Sequence, residues 1–393
     1  MSNESSPEDF EEIREVFERR VRHLGSADEI TDSKPAKETS ETSVEEPNPD
    51  ESKVETSSGA TSSSDSDGWS VQPESNPRES DDRRAIRAEP RRSRRSPFSE
   101  VSQVPDSFTF DSPLEVTSCP EDLSMRIDTG GNADVYQSSV SIDGDTHEIA
   151  VKIPRGYGTI HRDQVQQLLD EAENWSKLDD HPHIVTVFGY GAESGLPWIA
   201  MEYMEGGNLA SRIRETSISS LEAVWIAYAL ATALNHAHHR GVAHNDLKPR
   251  NVLFTEAQSG SWAIPKLTDW GIAKELIERE QSVDGFTPEY AAPEQFRPDE
   301  FGKPDKRTDI YQLGVILYEL LVGELPFVGP PAKLMYEATH GEVVPPTERD
   351  SSLPNMVDRV LLTALATRPE DRYEYALYFR DDLAELASQL QRD

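Results

Sequence analysis

Residues 241–254 read GVAHNDLKPRNVLF, and residues 266–272 read KLTDWGI. Asp246 is followed by Lys248, by Asn251 five positions on, and by Asp269 twenty-three positions on. Between the two polar clusters, Val252-Leu253-Phe254 is an apolar run that predicts a strand leaving a loop. Working upstream, IDTGGNADVY at 127–136 is a glycine-bearing turn, and IAVKI at 149–153 sets Lys152 on an alternating strand. VQQLLDEAENWSKL at 165–178 has helical spacing. Apolar patterning starts near Leu123 and runs to Leu390 without an internal repeat, and about 270 residues is ample for a two-lobed globular unit.

These motifs resemble the eukaryotic-type (Hanks-type) Ser/Thr protein kinases, a family also widespread in prokaryotes, over the C-terminal two thirds of the chain. The resemblance implies an α+β, bilobal fold: a small lobe of antiparallel strands plus one helix (about 121–203), and a larger, mainly helical lobe (about 204–390). ATP would bind between them. The implied reaction is transfer of the ATP γ-phosphoryl group to Ser or Thr hydroxyls of protein substrates, in signalling. Such transfer asks for positioning and charge neutralisation more than covalent help. Asn251 and Asp269 are oxygen ligands suited to Mg2+, a hard cation that keeps several waters. Asp246 would align the substrate hydroxyl and take its proton, and Lys248 would reach the γ-phosphate.

By the same resemblance, Gly130 and Gly131 lie in a turn over the phosphates, where only glycine lets backbone N–H groups approach closely. Val135 and Ala150 would sandwich the adenine, Leu253 would line the same site, and Lys152 would hold the α- and β-phosphates. Lys152 would pair with Glu171 on the helix, with Glu173 as the alternative. WIAMEYM at 198–204 would be the strand and hinge between the lobes, with Met201 as gatekeeper and Glu202 and Met204 offering backbone hydrogen bonds to adenine. Trp175, Trp270 and His244 would stack inside, so His244 reads as a packed residue and not as a general base. GFTPEYAAPE at 285–294 would close the activation segment, with Glu294 paired to Arg372, Asp309 bracing the catalytic loop and Thr287 contacting Asp246 and Lys248.

The pattern breaks in three places. The first glycine position of the turn is Asp128, the third is Ala133, and the usual arginine before the catalytic aspartate is Asn245. Asn245 cannot form a bidentate pair with a phosphate, so activity is expected without phosphorylation of Ser282 or Thr287. The D-L-K-P-x-N form and the Ala292-Pro293-Glu294 block favour Ser/Thr of proteins over Tyr or small molecules. Two other readings stay open: a nucleotide-binding pseudokinase scaffold, for which the three departures stand, and an interaction hub made by the tail.

Composition sets the rest. The 393 residues carry 73 acids against 39 bases, a net charge of −34, which argues against a general nucleic-acid binder. Of the bases only 11 are lysine. Such acidic, lysine-poor usage resembles the proteins of salt-loving archaea, where molar salt shrinks the screening length to about 3 Å; an acidic protein of ordinary habitat is the alternative. The single cysteine, Cys119, excludes an intrachain disulfide and a cysteine-built zinc site. Without an 18-residue apolar run or a basic-then-apolar start, a cytoplasmic protein with no membrane contact is expected. Residues 1–30 predict an isolated amphipathic helix (Phe10, Ile13, Phe17, Val21, Leu24) that a partner could cover. Residues 31–112 predict a disordered, Ser/Thr-rich acidic region. It ends in RRAIRAEPRRSRR at 83–95, and Ser93 and Ser96 are candidate autophosphorylation sites.

Overall fold

The structure is a computed structural model that describes residues 96–105, 114–120, 123, 125–129, 133–142, 145–154, 162–178, 181–193, 196–270 and 287–392. The expected helix at 1–30, the Arg-rich block with Ser93, Gly130, Gly131 and Ser282 lie outside the described residues, as does the side chain of Glu171.

Five strands form one antiparallel sheet: β1 (Met125–Thr129), β2 (Ala133–Ile142), β3 (Asp145–Pro154), β4 (Val187–Glu193) and β5 (Leu196–Glu202), in the order β1-β2-β3-β5-β4. Helix α1 (Arg162–Ser176) is inserted between β3 and β4. The period of two along β3 divides its side chains between two cores. Ile149, Val151 and Ile153 pack on one face with Leu196, Trp198 and Ala200, while Ala150 faces the main core with Met201 and Ile199. Lys152 shares the parity of Ala150 and so points to the same side.

After β5 the chain becomes helical. Helix α2 (Leu209–Glu215) is capped by Asn208, and α3 (Ser220–His239) by Ser219, each side chain accepting a backbone N–H of the first turn. A two-stranded ribbon, β6 (Val252–Phe254) with β7 (Pro265–Leu267), follows. Then come the short α4 (Pro293–Phe296), α5 (Lys306–Val322), α6 (Pro331–His340), α7 (Met356–Ala364) and α8 (Ala376–Leu390). Helix α5 is bounded by a capping box at Asp305 and Thr308 and by Gly323 in the left-handed region (φ 80°). Both α3 and α5 are buried almost all round, as expected of helices inside a large lobe.

One part of the domain reading is corrected. Within the stretch expected to be unpacked, residues 96–105 are held against the helical lobe. Phe98 is 2% exposed and packs edge-on against Tyr228 of α3, with ring centroids 5.3 Å apart. Gln391 Nε2 donates to Pro97 O at 3.1 Å, and Trp262 N donates to Gln103 O at 2.6 Å. Residues 114–120 lie on the sheet. Val116 N donates to Phe188 O, Cys119 N donates to Glu193 Oε1, and a Cβ at Gly189 would collide with Val116 O. Burial, with the Glu193 carboxylate nearby, pushes the Cys119 thiol up to about 12, so it stays a neutral packing group.

Candidate active site

The catalytic loop is built on a buried carboxylate. Asp309, at the start of α5, is fully buried and accepts from His244 N (2.9 Å), Asn245 N (2.6 Å) and the His238 ring (2.8 Å). A buried carboxylate is tolerable only when it is fully bonded, so the loop must come to it. That geometry puts Asn245 in the left-handed region (φ 58°). Asparagine tolerates this conformation better than most residues. The residue that the sequence reading treats as a lost arginine is therefore well suited to its backbone.

Asp246 follows directly. Lys248 Nζ donates to its Oδ2 at 2.8 Å, and Asn251 Nδ2 donates to its backbone O at 2.8 Å. Among the described residues the Thr287 side chain makes no hydrogen bond to Asp246 or Lys248, in contrast to the expectation. His244 is packed as anticipated. It is 1% exposed, and its ring bonds Thr268 O at 2.8 Å and lies 4.9 Å from the Trp270 ring. Trp175 belongs to the same core, where its indole N–H donates to Val185 O.

Asp269 is the second non-glycine residue with positive φ (64°) among the described residues. Lys152 Nζ reaches it from β3 at 2.7 Å. Burial alone would raise the Asp269 carboxyl, but the Lys152 ammonium, with His244 and Lys248, overrides it and holds the group below the usual carboxylate range. Among the described residues the partner of Lys152 is Asp269; the side chain of Glu171, its expected partner, lies outside the described residues. The two acceptor-rich groups expected to hold Mg2+ fit a hard cation. Asn251 spends its Nδ2 on Asp246, which leaves the carbonyl end of the amide for a metal, and Asp269 is ionised.

The residues expected to meet the nucleotide fall on the paired strands and against the main core. Ala150 lies directly across from Met201, and Val135 across from Lys152. Ala150, Met201 and Met204 are in the main core, and Val135 and Leu253 pack against it. Glu202 does more than its backbone role predicts: its carboxylate takes Lys266 Nζ at 2.6 and 2.7 Å and Thr186 N at 3.2 Å, tying the end of β5 to β7. Glu294 and Arg372 form the expected pair, bidentate at 2.7 and 2.8 Å, with both side chains essentially fully buried. Sequence reasoning missed Lys266 as the partner of Glu202. It also missed Gln295 and Gln312, although a glutamine inside the apolar run Ile310–Leu317 was a visible signal.

A five-stranded lobe and a helical lobe, with a lysine, two aspartates and an asparagine meeting where they join, define the protein-kinase class of fold. Residues 123–381 match the protein kinase domain family, and the chain belongs to that family. It is similar to serine/threonine-protein kinase PknB of Mycobacterium leprae, 33% identical over 284 residues, which cover 68% of this chain and 44% of the relative. The chain thus matches less than half the length of such curated relatives. Among solved structures, the PknI kinase domain of Mycobacterium tuberculosis superposes with a TM-score of 0.52 at 26% identity, covering 71% of this chain and all of that one. A Rad53 fragment in complex with AMP-PNP shares the fold at a TM-score of 0.53 and 23% identity.

Proposed function

We propose that this chain transfers the γ-phosphoryl group of ATP to Ser or Thr side chains of proteins. The observation that supports this reading best is the meeting of Asp246, Lys248 and Asn251 on one loop with the Lys152–Asp269 pair. Mg2+ bound by Asn251 and Asp269 would supply charge neutralisation on the phosphates. Lys152 would exchange Asp269 for the α- and β-phosphates, and Lys248 would stabilise charge on the transferring group. Asp246 accepts the hydroxyl proton as the hydroxyl oxygen forms its bond to phosphorus and the ADP oxygen leaves. Incubation with γ-labelled ATP and a generic protein, followed by phosphoamino-acid analysis, tests this. Label on serine and threonine is expected; label on tyrosine alone, or none, would refute it.

Four finer points belong to the same proposal. Asn245 supports activity without activation-segment phosphorylation, so Ser282→Ala and Thr287→Ala should keep transfer; a loss restored by a phosphomimic would contradict this. The acidic, lysine-poor composition supports a cytoplasmic role at molar salt, as in salt-loving archaea. Among the described residues no helix is long and apolar enough to cross a membrane. The partners are protein substrates and, for residues 1–30, a protein that covers an amphipathic face. Ser93 and Ser96 are proposed as autophosphorylation sites, to be checked by mass spectrometry after incubation with ATP.

A further inference from the structure

Asp246 is flanked by two peptide units, and all four of their polar groups are held by side chains. In the first unit, Asp246 N donates to His244 Nδ1 at 3.3 Å, and Asn245 O accepts from Gln295 Nε2 at 2.9 Å and Gln312 Nε2 at 3.4 Å. In the second, Asp246 O accepts from Asn251 Nδ2 at 2.8 Å, and Leu247 N donates to Gln312 Oε1 at 3.0 Å. Gln312 therefore touches both units at once. It is 3% exposed, and its Nε2 also donates to Gln295 Oε1 at 2.9 Å. Gln295 Oε1 in turn accepts from Ala292 N at 3.1 Å, so the pair reaches the block that ends the activation segment.

We infer that the Gln295–Gln312 amide pair positions Asp246, linking the end of the activation segment to the catalytic loop through an uncharged brace. Such a link does the mechanical work of an ion pair between a phosphate and a loop arginine, which Asn245 cannot make. Because both partners are neutral, the brace is not weakened by salt as an exposed ion pair would be. A half-satisfied buried network is worse than none, so the pair should act as one unit. Both amides are spent on the backbone around Asp246, on Ala292 N and on each other, so both act through Asp246.

The inference rests on the kinase reading, and the test separates the two. Full-length wild type, Gln312→Leu, Gln295→Leu and the double variant are compared for kcat, the KM for ATP, nucleotide-analogue affinity and thermal midpoint. Misplacing a reacting group by about 1 Å can cost about 100-fold, so Gln312→Leu should lower kcat about 10- to 100-fold, with KM for ATP changed by less than about twofold. The double variant should match the worse single variant within about twofold, the mark of residues that act as a unit. Unchanged kcat per nucleotide-binding molecule, or losses that multiply in the double variant, would overturn the brace. If Gln312→Leu does not fold, Gln312→Glu keeps the acceptor for Leu247 N and loses the donor, and it carries the same comparison. A wild type that transfers no phosphoryl group overturns the kinase reading and the brace with it.

Discussion

Asp246 and Asp269 are both carboxylates, and their surroundings divide the work. Both side chains are partly open, but Asp246 has Lys248 and Asn251 beside it, whereas Asp269 is held by Lys152. Removing the base should cost far more turnover than binding: Asp246→Asn is expected to lower kcat by about 100- to 10,000-fold while nucleotide affinity holds, as equilibrium binding beside steady-state kinetics would record. A drop in affinity of the same size would instead make Asp246 a binding residue. A different kind of residue sets acid stability. Burial, with His183, His236, Arg240 and Lys266 nearby, pushes His181 down to about 3, and burial pushes His183 down to about 4. His181 Nδ1 accepts from His183 N at 3.2 Å, so this nitrogen must be bare. Unfolded histidines bind protons near pH 6.5, so the stability that neutral rings contribute is complete above that value and is lost as pH falls toward 4. Wild type should therefore melt at a clearly lower temperature at pH 5 than at pH 7, and His181→Gln should shrink that difference. Equal pH sensitivity in both proteins would rule this cause out.

Among the elements, strands β3, β5 and β6 and helix α1 were legible because each carries its own period or motif, from IAVKI in β3 to Val252-Leu253-Phe254 in β6. Residues 96–105 were not. SPFSEVSQVP is short, holds only three large apolar residues (Phe98, Val101 and Val104) and adjoins a polar, charged stretch, so composition pointed to an unpacked chain. Its order comes from contacts far away in sequence, with Tyr228, Trp262 and Gln391. The Lys152–Asp269 contact and the Gln295–Gln312 pair were hidden for the same reason: pairing across more than a hundred residues, or between two neutral amides, leaves no spacing rule to read. The segment yields a prediction about where the chain can be cut. Removing residues 1–95 should leave the melting temperature unchanged, whereas removing 1–105, or Phe98→Ala, should cost about 3 kcal/mol, the usual loss for a buried phenylalanine. Denaturant unfolding of the three proteins measures this. Equal stability of the two truncations would mean that the packing of Phe98 contributes nothing.

For the whole molecule the dominant quantity is charge. A net charge of −34 repels itself at low ionic strength, and molar salt removes most of that cost. Raising potassium chloride from about 0.1 M to about 2 M should lift the thermal midpoint by at least about 5 °C, which at this size corresponds to roughly 2 kcal/mol. A midpoint that falls with salt would favour an acidic protein of ordinary habitat. Buried pairs should respond differently from the surface. Arg372→Ala strands the Glu294 carboxylate in the core and should cost about 3–5 kcal/mol at either salt concentration, as denaturant unfolding would reveal. The account as a whole depends on Lys152, Asp246, Asn251 and Asp269 serving one nucleotide. Crystals grown with a non-hydrolysable ATP analogue and manganese would test that most directly, through anomalous scattering from the metal. The account predicts a peak bonded to the Asn251 amide oxygen and the Asp269 carboxylate, with Lys152 turned from Asp269 to the phosphates. An analogue bound elsewhere, or a metal held by other residues, would contradict it.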